Sequence, residues 1–147
     1  MATKRELLAA EDVGWNEYHG VLESLAPDQL EVPGYYAEGW SAKDLEAHIG
    51  SWQAEACQIL LQLRYDTYRK ADLDVDSMNQ TFYEANKDLP LAVVRAEAWA
   101  ARTRMLTVFN DLPEVAPLAE EWFVESGAEH YREHLPRLRE WRGVFRS

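Results

Sequence analysis

The chain has 147 residues, 47% of them hydrophobic and 12% aromatic, with six tryptophans and a net charge of −11. This length suits a single domain over 1–147 that buries roughly 70% of its unfolded surface, and no run of about 18 apolar residues suggests a membrane span. Such a negative balance argues against nucleic acid and against anionic membrane surfaces, since both are bound through lysine and arginine. Cys57 is the single cysteine, so no internal disulfide is expected. The amphipathic start, Thr3-Lys4-Arg5-Glu6-Leu7, lacks the apolar core of a signal peptide, and the expected location is the cytoplasm.

The first helix is predicted from about Lys4 to Leu25. Leu8, Trp15, Leu22 and Leu25 form its inward stripe, with Tyr18 and His19 beside it. Pro27-Asp28 breaks it, and Val32-Pro33-Gly34 turns the chain toward Tyr35-Tyr36. The second helix opens on Ser41 as N-cap with Asp44 in the capping-box position, while Trp40 and Leu45 make a hydrophobic staple. Its stripe runs Leu45, Ile49, Trp52, Ala56, Ile59 or Leu60, and Leu63, fading near Thr67, and His48 falls on the same face. A short helix over Ser77–Lys87 fills the acidic connection, because about 20 structureless residues would be unusual there.

The third helix begins near Pro90 and carries Leu91, Val94, Ala98, Ala101, Met105, Val108 and Leu112 at helical spacing. Pro113 and Pro117 end it and begin a second connection. The fourth helix is capped by Ser126 with Glu129, then runs to about Phe145. No stretch alternates as a strand does. The fold class is all-α, a four-helix bundle with a short extra helix between the second and third.

Within the fourth helix His130 and His134 stand one turn apart on one face, followed on that face by Leu138, Trp141 and Phe145. Two inward imidazoles need partners, and a divalent metal satisfies both. His48, seven residues past its cap, lies roughly 10 Å into the second helix; His130 and His134 lie roughly 6 and 12 Å into the fourth. The three meet if the two helices start at the same end of the bundle and point the same way. Three imidazoles leave a tetrahedral ion one open position, and all-nitrogen ligation suits Zn, Ni or Fe.

Other signals carry less. The run His130-Tyr131-Arg132-Glu133-His134 reads as an inverted zinc-protease motif, but only 13 residues follow it, too few for a distant acidic ligand. Glu133 also lies about 100° around the helix from His134, toward water. His19 is either a fourth ligand, a donor to the ligands, or a helix histidine with a local partner, the last being the expectation. Cys57 reads as a small buried hydrophobe. Pro136 inside the fourth helix reads as a tolerated bend. Arg132, Arg137, Arg139, Arg142 and Arg146 crowd that helix, where cations suit the dipole and the acidic body of the protein.

With these residues in view, the chain resembles the DinB-like superfamily of four-helix metalloproteins (the DinB/YfiT-like bundle). Trp40-Ser41-Ala42-Lys43-Asp44-Leu45-Glu46-Ala47-His48 with Trp52, and Glu129-His130-Tyr131-Arg132-Glu133-His134-Leu135, carry the likeness, which extends over essentially the whole chain, Asp76-Ser77-Met78-Asn79 included. It is similar to the N-terminal domain of mycothiol-dependent maleylpyruvate isomerase. The resemblance implies a divalent metal on His48, His130 and His134 that activates a low-molecular-weight thiol, such as mycothiol or bacillithiol, as a thiolate nucleophile. The isomerase carries a second, C-terminal domain that these 147 residues do not include, so its particular substrate is not expected to carry over. Pro136 stands where the sulfoxide synthases of this bundle have an acidic residue.

The leading expectation is a metal-dependent thiol S-transferase or isomerase acting on a small-molecule electrophile, with Trp52, Trp15, Tyr36 and His19 around the pocket. A second is a metal-dependent hydrolase of a small toxic molecule. A third is a non-catalytic interaction or sensor bundle. No nucleic acid and no membrane are expected as partners, and a homodimer is compatible with apolar bundle faces.

Overall fold

Thr3 Oγ1 accepts a hydrogen bond from the Glu6 amide (3.1 Å) and so starts α1, Lys4–Glu23. Residues 2–36 and 39–146 are described in this computed structural model. Among them the helices that follow are α2 (Pro27–Leu30), α3 (Ala42–Arg64), α4 (Val75–Asn86), α5 (Leu91–Asp111), α6 (Pro117–Ser126) and α7 (Ala128–Val144), with no strand. The class is an all-α bundle. No helix among the described residues is long and apolar enough to cross a membrane.

The capping box of α3 forms as the sequence predicts. Ser41 N donates to Asp44 Oδ2 (2.8 Å) while Asp44 N donates to Ser41 Oγ (3.3 Å). Asp66, at φ 55°, turns the chain away just past the end of α3. Asp74 caps α4 by accepting from Ser77 N (3.0 Å). This helix buries no residue fully, and it leans on α3 through Trp52, whose indole N–H donates to Asn79 Oδ1 (2.7 Å).

α3 and α5 lie side by side and run in the same direction. Lys43 Nζ reaches the Leu89 carbonyl (2.8 Å) at one end, and Arg64 reaches the Asp111 carbonyl at the other. Between them Gly50 lets the backbones touch, since a Cβ there would sit 3.1 Å from Ala98 Cα. The segment carrying α4 therefore brings the chain back to the end from which α3 set out.

Two sequence expectations are corrected in the last third of the chain. Pro117 does not continue a connection: it is the first residue of α6, where its missing N–H costs nothing. Ser126 is the last residue of α6 and not the cap of the next helix, which is Gly127. The break falls at Gly127 because α6 and α7 pack there against α1. A Cβ would stand 3.1 Å from Glu11 Cγ and 3.0 Å from the Phe123 carbonyl.

A third correction concerns direction. Leu60, late in α3, shares a core cluster with Phe109 and Phe123, whereas Leu45, early in α3, shares one with Leu138 and Trp141. Tyr35, just before α3, accepts from Arg137 Nε (2.8 Å) through its carbonyl. So α6 and α7 run antiparallel to α3, not parallel to it. Because α6 takes up half the height of the bundle, α7 begins near mid-height. Its histidines reach His48 from the opposite sense.

Between the two apolar clusters lies a buried polar layer. Gln53 Nε2 donates to Tyr131 Oη (2.6 Å), Tyr131 Oη donates to Glu11 Oε2 (2.7 Å), and Arg102 grips both oxygens of Glu11 (2.8 and 2.7 Å). Glu11 is 1% exposed. Here α1, α3, α5 and α7 are tied at one level, the level of the histidines.

Candidate metal centre and its cleft

His48 sits two turns into α3, and His130 and His134 sit one turn apart on α7. All three are less than a tenth exposed. The Nε2 atoms of His48 and His130 are 3.1 Å apart, and one nitrogen from each of the three rings lies within 4.8 Å of the others. Ligand atoms held about 2.0–2.1 Å from one tetrahedral ion stand roughly 3.3 Å apart. The His48–His130 pair is already at that spacing. Among the described residues no fourth histidine, cysteine or carboxylate joins the cluster.

Burial, together with the neighbouring rings His48 and His134, pushes His130 down to about 3. Burial and the proximity of His134 push His48 down to about 4. His134 is also lowered by burial, with Glu133 opposing. At neutral pH the three rings are uncharged and offer lone pairs, the state in which imidazole binds a metal. His48 Nδ1 is buried with no hydrogen-bond partner. Tyr36 Oη stands 2.9 Å from His134 Nδ1 and so helps to fix the orientation of that ring. This donor set fits a divalent transition ion with one position open.

The imidazoles line a cleft of about 990 Å³. Trp40 and Tyr83 stack face to face on one wall (5.3 Å, 1°), and Trp40 also lies 5.5 Å from the His48 ring. Trp52 and Tyr36 line the same cleft, as the sequence suggests, and Trp122 of α6 joins them. Asp72, Asp76, Glu121, Glu125 and Glu133 also line it, with Lys70 as the lysine among them. Glu125 is raised by burial and by Glu121 and Glu129 beside it.

Trp15 and His19 are elsewhere. They stack on each other (4.2 Å, 14°) beside a separate cavity of about 190 Å³, and His19 Nε2 pairs with Glu23 Oε1 (3.2 Å). Their assignment to the pocket is corrected for a plain reason: they face the gap between α1, α3 and α5, whereas the histidine cleft opens between α3, α4 and α6–α7. Trp40, Tyr68, Tyr83 and Trp122 are aromatic cleft residues that sequence reasoning missed. Trp40 reads there as half of a staple, and Trp122 lies on a helix whose first residue, Pro117, reads as a break.

No family model matches the chain, and no curated protein matches it. Two solved structures share its fold. One is an uncharacterised protein from Escherichia coli UTI89, 17% identical, with 98% of this chain and 95% of that one covered and a TM-score of 0.82. The other is the colibactin self-resistance protein ClbS in complex with a double-stranded DNA, 15% identical, with 97% and 96% covered and a TM-score of 0.82. The second structure corrects two expectations. Thiol transfer or isomerisation gives way, because a protein that shares this architecture is a colibactin self-resistance protein, in complex with a double-stranded DNA. The exclusion of nucleic acid gives way as well: DNA affinity depends on where cations sit locally and not on a chain's net charge. The architecture is thus one that occurs in a self-resistance protein bound to DNA.

Proposed function

We propose that this chain is a small-molecule resistance protein of the DinB-like kind, which takes a reactive toxic compound into the histidine cleft. The observation that carries this reading is convergence: three neutral imidazoles and the Trp40–Tyr83 stack face one cleft of about 990 Å³, at the upper end of the range of drug-sized sites. His48, His130 and His134 would hold a divalent ion, which when bound supplies Lewis acidity at the cleft floor. Tyr36 helps to fix the orientation of the His134 ring. Trp40, Tyr83 and Trp52 bury the apolar part of the guest and exclude water from it. The fold shared with ClbS supports a protective role. A buried, unpaired Cys57 agrees with work in the reducing cytoplasm.

The test is survival. Cells expressing the chain are challenged with colibactin-producing bacteria and with a panel of electrophilic antibiotics. Protection against at least one compound, lost in Trp40→Ala and in His130→Ala variants that still fold, is the expected result. Absence of protection across the panel, or equal protection by His130→Ala, contradicts the reading.

A second reading has its own observation. From Arg137 onward α7 and its end carry Arg139, Arg142 and Arg146 against the single acid Glu140, and the similar fold in ClbS is bound to DNA. Contact of this end with duplex DNA predicts binding of a labelled duplex of about 20 bp at about 50 mM salt, weakening steeply as salt rises. Replacing Arg139, Arg142 and Arg146 together by alanine abolishes that binding if the reading holds. No binding at low salt contradicts it.

A further inference from the structure

The charged lining of the histidine cleft is lopsided. Asp72, Asp76, Glu121, Glu125 and Glu133 line it against one cation, Lys70, among the described residues. The chain as a whole has 26 acids to 15 bases, so five to one is more than its composition supplies. The five come from separate segments: Asp72 precedes α4, Asp76 lies in α4, Glu121 and Glu125 in α6, and Glu133 in α7. The solvated face of a single helix would not surround an opening in this way. All five residues are exposed, and among the described residues none of their carboxylates joins an ion pair. Burial and the neighbouring Glu121 and Glu129 raise Glu125, so repulsion within this rim is already felt.

Charge of one sign around a low-dielectric hollow concentrates counter-ions there. A divalent ion on the three imidazoles would offset two of the five negative charges and leave the lining acidic. Among the acids stand half-buried aromatic side chains, Trp40, Trp52, Tyr68, Tyr83 and Trp122. Ring faces attract cations, and those of tryptophan do so most strongly. Among the described residues Lys87, held by Glu84, stands over Tyr83 (5.8 Å), whereas no cation of the chain stands over Trp40, Trp52 or Trp122. A neutral guest would use the rings and leave the acids idle, and an anion would be repelled. A flat cation uses both.

We propose that the cleft selects guests in which a flat aromatic body carries a positive charge, as a protonated amine or amidine does. The inference rests on the reading that this cleft takes a small molecule, and adds the chemical class of that molecule.

The probes share one ring system. 9-Aminoacridine is a cation at neutral pH, acridine is neutral, and acridine-9-carboxylate carries a negative charge. Each is titrated into the full chain by calorimetry. The expected order is 9-aminoacridine above acridine by about tenfold or more, the enrichment that a cleft of one sign gives a counter-ion, with acridine-9-carboxylate weaker still. Raising salt from about 50 mM to about 500 mM should erase most of the cation's advantage and leave acridine unchanged. The same loss is expected when Asp76→Asn, Glu121→Gln and Glu125→Gln are made together. These are exposed sites, and unchanged acridine binding reports that the variant folds. Equal binding of the cation and the neutral ring, or indifference to salt or to the triple variant, overturns the proposal while the cleft keeps its guest. No saturation by any of the three below about 1 mM overturns it too. Survival judges the resistance reading separately: protection that is absent while the cation preference holds strikes that reading alone.

Discussion

Tyr36 is the residue on which the orientation of the third imidazole depends. Its hydroxyl holds His134 Nδ1 at 2.9 Å, so removing it frees the ring without touching a ligand. Tyr36→Phe is expected to weaken binding of a divalent ion by roughly 10–100-fold, the usual effect of losing an outer-shell partner, measured by competition with a coloured chelator. An unchanged affinity would show that packing alone orients the ring. Glu11 acts on stability. It is 1% exposed and accepts from Arg102 and from Tyr131, so Glu11→Ala strands a guanidinium and a phenol. A loss of about 3–5 kcal/mol in urea unfolding is expected, and a loss under about 1 kcal/mol would mean that water repairs the layer. The three histidines were legible because helical periodicity puts each on an inward stripe. Tyr36 was expected at the pocket, but its bond to His134 left no signal in the sequence. Glu11 left no signal, since a charged residue on an amphipathic helix normally faces water.

At the scale of elements the start of α3 was legible because its signal is local: Ser41, Asp44, Trp40 and Leu45 determine one another within five positions. The end of the chain was not, because Pro113 and Pro117 read as two breaks, whereas Pro117 is a beginning. Missing α6 set α7 at the end of the bundle and reversed its inferred direction. The histidine cluster survived that error because α7 starts at mid-height, near the level of His48. Gly127 is the hinge of this arrangement. Gly127→Ala places a methyl 3.0 Å from the Phe123 carbonyl and 3.1 Å from Glu11 Cγ, neighbours with little room to yield. Its expected cost is about 1–3 kcal/mol, read from the thermal midpoint. Gly143→Ala is the control, since nothing lies within 4 Å of a Cβ there. Equal effects of the two substitutions would remove Gly127 from its role as a packed junction.

Across the whole molecule, net charge was the least reliable guide. A value of −11 describes the sum of all surfaces, while affinity for an ion, a small guest or a duplex is decided where the guest sits. The acidic side chains around the cleft and the arginines late in α7 belong to one chain and present opposite signs. Ion binding should also be visible globally, because the cluster joins α3 to α7. A ligand present at 100 times its dissociation constant stabilises the folded chain by about 2.7 kcal/mol. The most direct measurement is a titration of metal-free protein with Co²⁺, followed by its visible absorption and by the thermal midpoint together. One equivalent per chain with a rising midpoint, both abolished in His130→Ala, is the result that three converging imidazoles predict. Absorption that never saturates, or a site that persists without His130, would contradict it.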